Sequence, residues 1–197
     1  GSGLPLSEPL ASMVCDIGGG TTETAIFSMG EIISQESSRV AGDEMDTAIV
    51  EHFRKRNSLK VGMPTAERIK LDVGCAYPLN QELTTEVRGL DTASGIPRKA
   101  MVTSDEVRQA LEGPLNSILE TITQTIERTS PELVGDLSET GIVLSGGGSQ
   151  LRGLDLLLQE QIGIPVRVAN EPRTILARGA TICLEHLDEW KTRLDCD

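Results

Sequence analysis

The sequence predicts an α/β fold: a mixed sheet with helices packed on it, plus a small inserted α+β subdomain. Three features carry this. The last third alternates strand-like and helix-like runs (Ile142–Ser145, then residues 153–161, 164–168 and 174–187), and a βαβα order calls for parallel neighbours covered by helices. Residues 13–37 hold three strand-like runs with short connections, the mark of an antiparallel meander. Residues 42–103 interrupt this pattern with helical stripes and a hairpin.

In chain order, the first strand covers residues 13–16 and the second Thr22–Ser28. Met29-Gly30 supplies a tight turn into a third strand over 31–37. Asp43 is placed as the N-cap of a helix with Met45, Ala48, Ile49 and Phe53 on its apolar side, closed by Arg54, Lys55 and Arg56. Residues 57–63 read as a loop, and a second helix begins near Pro64 or Thr65 with Ala66, Ile69 and Val73 as its stripe. Segments 83–88 and 98–103 form a hairpin around the turn chemistry of 91–95. Ser104, Asp105 and Glu106 open a long helix, and Gly113-Pro114 inside it predicts a kink or break. Residues 128–131 read as the end of that helix.

The composition narrows the function. A formal charge of -12 argues against broad phosphate-backbone binding, and aromatics at 2% leave no stacking platform, so no nucleic-acid role is expected. Cys15, Cys75, Cys183 and Cys196 show no CxxC spacing, and only His52 and His186 could assist them, so no zinc site is expected. Cys15 and Cys75 read as buried thiols of a reduced, cytosolic protein. No apolar run approaches the roughly 18 residues of a membrane span, and no signal-peptide core is present. His52 reads as a surface or helix-end residue, and Trp190 as an anchor for the polar tail.

Two glycine clusters carry the chemistry. Asp16-Ile17-Gly18-Gly19-Gly20-Thr21-Thr22-Glu23 is a strand end running into glycines and hydroxyls. Such glycines let backbone N–H groups meet an anion at close range, and Asp16 can hold a hydrated Mg²⁺ beside it. Ser145-Gly146-Gly147-Gly148-Ser149 likewise follows an apolar strand and opens toward a helix. Neither cluster is a Walker A loop or a GxGxxG fingerprint. Each alone fits a plain turn; together they point to a nucleotide cleft. Glu67 and Lys70, three apart on a helix, fit a solvated ion pair.

The octet 16–23, Gly42-Asp43-Glu44-Met45-Asp46, Thr65-Ala66-Glu67-Arg68-Ile69-Lys70 and Gly146–Ser149, in this order and spacing, resemble MreB, the bacterial actin. Val87-Arg88-Gly89, residues 128–133 and residues 151–154 are similar as well. The resemblance implies a ribonuclease-H-like half of the actin/Hsp70 ATPase fold. Residues 1–41 and 104–197 would form subdomain IIA, and 42–103 the inserted subdomain IIB. It implies that Gly19, Gly20 and Thr21 contact the β- and γ-phosphates of ATP or ADP, with Thr22 adjacent. Asp16 would hold Mg²⁺ through water. Gly146, Gly147, Gly148 and Ser149 would line the adenosine side, and Glu67, Arg68, Ile69 and Lys70 would meet ribose and adenine.

The match covers the second half of such a protein, with Gly1–Pro5 similar to the family's linker. The other phosphate loop, the catalytic glutamate region and the usual membrane-binding surface belong to the first half. The parent is therefore expected to be an ATPase that self-assembles into cytoplasmic, membrane-associated filaments guiding cell-wall synthesis and rod shape. RodZ is an implied partner. The chain alone is expected to be inactive in turnover. A kinase or chaperone nucleotide domain of the same fold, and a docking module without nucleotide turnover, remain the alternatives.

Overall fold

A computed structural model describes residues 9–186. Eight strands and six helices follow one another along these residues. Strands β1 (Ser12–Ile17), β2 (Thr22–Ser28) and β3 (Glu31–Ser38) form the expected meander. Met29 and Gly30 both have positive φ, the backbone that a two-residue hairpin turn requires. Helix α1 (Gly42–Arg56), strand β4 (Leu59–Lys60), helix α2 (Met63–Val73) and the hairpin β5 (Thr84–Asp91) and β6 (Pro97–Thr103) fill the middle. Then come α3 (Ser104–Glu127), α4 (Pro131–Thr140), β7 (Ile142–Ser145), α5 (Leu154–Ile162), β8 (Val166–Val168) and α6 (Ile175–Glu185).

The main sheet has the order β3-β2-β1-β7-β8, and β4, β5 and β6 make a separate three-stranded sheet. β1 runs antiparallel to β2 but parallel to β7, from Met13 opposite Ile142 to Asp16 opposite Ser145. That register fixes where the two glycine turns stand. Two strands running the same way end at the same level, so the glycine turns that follow them emerge side by side. In open α/β sheets this carboxyl edge is where ligands bind.

One continuous core joins both sheets. Met13, Cys15, Ile17 and Ile26 of the main sheet pack with Val107, Leu111, Ile118 and Ile122 of α3. Met45, Ile49 and Phe53 of α1 carry the same core to Leu59, Ile69, Val87 and Val102 in the middle segment. A satisfied polar seam crosses it, where the Thr24 and Thr125 hydroxyls meet and Ser34 donates to the Thr125 carbonyl.

Several sequence expectations need correcting. Asp43 lies inside the first turn of α1 and Ala41 holds the N-cap position without a side-chain bond. The first N–H groups of the helix instead donate to carbonyls of the first glycine turn, which removes the need for a side-chain cap. Gly113-Pro114 does not break α3. Its N-terminus is fixed by a complete capping box, Thr103 Oγ1 accepting from the Glu106 N–H and Glu106 Oε2 from the Thr103 N–H.

Residues 131–140 form α4, although only a helix end was expected near 128–131. Pro131 takes the first helical position, and Ala11 N–H donates to Asp136 while Thr140 donates to the Ala11 carbonyl, which ties α4 to β1. Part of the 57–63 loop pairs as β4 with the end of β5. The expectations for Leu187, Trp190, Cys196 and Gly1–Pro5 lie outside the described residues.

Candidate functional site

The first glycine turn is closed by Gly18 N–H donating to the Thr21 carbonyl at 2.9 Å. Its outward carbonyls then anchor α1: Gly42 N–H donates to Gly18 O at 3.2 Å and Asp43 N–H to Gly19 O at 2.8 Å. Gly19, Gly20 and Thr21 are exposed at the sheet edge. Thr22 is not, because its hydroxyl is fully buried and donates to the Val40 carbonyl at 2.8 Å. It shapes the turn, and offers no free hydroxyl to a ligand.

The second turn divides its three glycines between two tasks. Gly146 has φ +80°, and a Cβ there would run into the Ile17 carbonyl. A Cβ at Gly148 would lie 2.5 Å from Ile17 Cγ2. Both are glycine because β1 passes beside them. Gly147 differs: it is exposed, has φ -66°, and its Cβ would meet nothing within 4 Å. Ser149 is buried and donates to the Gly146 carbonyl at 2.7 Å, so it braces the turn from within.

Between the strand ends, the Ser145 hydroxyl donates to Asp16 Oδ2 at 2.6 Å. Asp16 is half-buried and forms no ion pair among the described residues. That leaves carboxylate acceptor capacity at the strand end, which fits a hydrated divalent cation. No group of three or more His, Cys, Asp or Glu side chains able to hold a metal occurs among the described residues, so such a cation would keep most of its waters. The Asp43 carboxylate also lies close to this turn, 3.8 Å from a Cβ built on Gly19 and 3.9 Å from one on Gly20.

Helix α2 brings the middle segment to the second turn. Met45, Lys70, Gly74, Gly147, Gly148 and Arg152 border a recess of about 180 Å³. Glu67 and Arg68 are exposed on α2, whereas the Ile69 side chain is fully buried and packs in the core. Lys70 does not pair with Glu67. Its Nζ lies 2.8 Å from Asp46 Oδ1 and donates to the Gly42 carbonyl at 2.8 Å, because the packing of α1 on α2 brings both groups beside it. The C-terminal end of α2 is tied down separately, Arg152 donating to Gly74 O and Ala76 N–H to Arg152 O.

A second, larger groove of about 790 Å³ lies between the meander and α6, with Val14, Asp16, Ala25, Phe27 and Leu176 among its walls. Among the described residues, no cysteine borders either recess. Burial pushes the Cys15 thiol far above its usual range and raises Cys75 too. His52 is half-buried with its ring edge-on to Phe53, and burial, aided by Arg56, lowers its pKa.

Ser145, Asp46 and Met45 were not singled out as site residues on sequence grounds. Ser145 carries a signal in hindsight, as the polar residue that ends an otherwise apolar strand directly before the glycines. Asp46 carries one only through the resemblance, as the last residue of Gly42-Asp43-Glu44-Met45-Asp46.

A strand-end carboxylate between two glycine turns, on a mixed sheet with helices packed against it, is the arrangement of one half of an actin-like fold. The chain belongs to the MreB/Mbl protein family, whose model matches residues 1–192. It is 46% identical over 188 residues to the cell shape-determining protein MreB of Escherichia coli (strain K12), covering 95% of this chain and 54% of that protein. It is 39% identical over 193 residues to the cell shape-determining protein Mbl of Bacillus subtilis (strain 168), covering 98% of this chain and 58% of Mbl. The crystal structure of MreB5 of Spiroplasma citri bound to AMPPNP superposes with a TM-score of 0.92 at 30% identity, over 98% of this chain and 58% of that one. The chain thus spans about half the length of the curated relatives it matches. Among the described residues, no helix is long and apolar enough to cross a membrane.

Proposed function

We propose that this chain is the nucleotide-binding half of an MreB-like bacterial actin that polymerises with ATP and guides cell-wall synthesis and rod shape. The observation that carries this reading is the parallel register of β1 and β7, which aligns Asp16 with Ser145 and so sets both glycine turns at one edge. Family membership and the AMPPNP bound to the Spiroplasma relative support the nucleotide. Exposed Gly19, Gly20 and Thr21 would meet the β- and γ-phosphates. Gly147 and the recess beside it would take the nucleoside end, with Glu67, Arg68 and Lys70 bordering it from α2.

The phosphate end is acidic. Asp16, Asp43 and Glu23 stand at or near the first turn, so bringing a polyphosphate here costs repulsion unless a cation comes with it. Mg²⁺ held through water beside Asp16 would supply that charge. Ser145, donating to one carboxylate oxygen, leaves the other with acceptor capacity for a water of such a cation. This half holds a phosphate from one side only. Without opposing donors and a positioned water, the barrier to hydrolysis stays high, so turnover by this chain alone should be negligible. Filament assembly in the cytoplasm, membrane association through the other half and docking of a wall-synthesis partner such as RodZ belong to the parent protein in this reading. Open filaments follow from head-to-tail contacts that do not close.

The test is a titration of the chain with ATP and Mg²⁺, followed by amide chemical shifts. Shifts concentrated at residues 18–22 and 146–149 are expected. Shifts elsewhere, or none at millimolar ATP, would replace this reading with docking of a partner without nucleotide.

A further inference from the structure

Lys70 and Asp46 form an ion pair that is nearly sealed from water, with side chains 15% and 9% exposed. Burying two charges is costly, and the cost is repaid only when the remaining donors and acceptors are satisfied. Here they are satisfied unevenly. The Lys70 ammonium has three N–H donors. One faces Asp46 and one the Gly42 carbonyl, and no third partner occurs among the described residues. Lys70 also lines the recess with Gly147 and Gly148. Gly42 in turn donates to Gly18 of the first glycine turn. A chain of contacts therefore runs from the phosphate turn through Gly42 to Lys70 and the nucleoside recess, and Asp46 fixes its far end.

We propose that Asp46 is a positioning residue: by holding the Lys70 ammonium against the Gly42 carbonyl it keeps one N–H donor available to the nucleoside end of a nucleotide in the recess. Asp46 itself touches no ligand. The inference rests on the nucleotide reading above, and it assigns Asp46 a task separate from the phosphate end, where Gly19 and Asp16 act.

Asp46→Asn keeps the shape and removes the charge. It should weaken Mg–ATP about tenfold, the worth of one charge-assisted hydrogen bond, and leave Mg–triphosphate unchanged. Lys70→Ala should give a similar loss, and the double variant should be no weaker than Lys70→Ala, since Asp46 acts only through Lys70. Equal weakening of ATP and triphosphate would mean general loosening and overturn the proposal, as would additive losses or an unchanged ATP affinity. If Asp46→Asn does not fold, Lys70→Arg takes its place, because a planar fork cannot reproduce the ammonium's contacts. It should also weaken ATP and spare triphosphate; an unaltered ATP affinity would overturn the assignment. A wild-type chain that binds no Mg–ATP overturns the nucleotide reading and this one with it. A wild-type chain that binds, with Asp46→Asn equal to it, overturns this one alone.

Discussion

Gly147→Val separates ligand clearance from folding, because the structure gives Gly147 no folding role. Its φ of -66° suits any L-residue, and a Cβ there meets nothing within 4 Å. Losing glycine's freedom in the unfolded chain should stabilise by about 0.4–1 kcal/mol, with β-branching taking back a few tenths. The melting temperature should therefore stay within about 3 °C of wild type. The same side chain stands at the mouth of the recess and would occupy the space a nucleoside needs, so Mg–ATP binding should be lost. Gly146→Ala is the control. It forces a left-handed backbone at about 1–2 kcal/mol and drives Cβ into the Ile17 carbonyl. Together these should lower the melting temperature by roughly 5–10 °C or prevent folding. Thermal melting by circular dichroism with ATP titration by amide shifts reads both effects. A Gly147→Val chain that melts like Gly146→Ala, or that binds ATP as wild type does, would refute the assignment of Gly147 to the cleft.

Chelating Mg²⁺ should abolish ATP binding, and Asp43→Asn should partly restore metal-free binding by removing a carboxylate near Gly19 and Gly20; calorimetric titration checks both. Lys70→Met should cost about 3 kcal/mol at neutral pH, because it strands the Asp46 carboxylate in a buried site. Burial already raises the Asp46 pKa above its ordinary 3.8, against the pull of Lys70. A raised carboxyl contributes stability at low pH that is lost as pH rises through the native value. Denaturation series from pH 7 downward should therefore show the Lys70→Met deficit shrinking on acidification. Thr103→Ala breaks the capping box of α3 and should cost about 1 kcal/mol, a melting shift of about 2–4 °C.

Much of this protein is legible locally. The meander, the hairpin and the closing βαβα order are each written in residues within a few positions of one another, where side-chain period and turn chemistry act. Helix α4 escaped because its ten residues hold few apolar positions, and contacts with Ala11, 125 and 129 residues away, fix it. The glycine triplet shows the boundary more sharply. Gly146, Gly147 and Gly148 are chemically identical, and only the passage of Ile17 beside the turn makes two of them obligatory and leaves one open to a ligand.

Lys70 marks the same boundary. Sequence spacing offers it Glu67 one helical turn away, whereas packing of α1 on α2 gives it Asp46, which excludes water and so wins. The residues alone determined most of the strands and helices, α4 and β4 excepted, and that glycine turns follow two strands. Only the tertiary structure decided that those turns lie together, which of their glycines face the cleft, and which carboxylate holds the lysine. Such contacts join residues far apart in the chain, and no local preference encodes them.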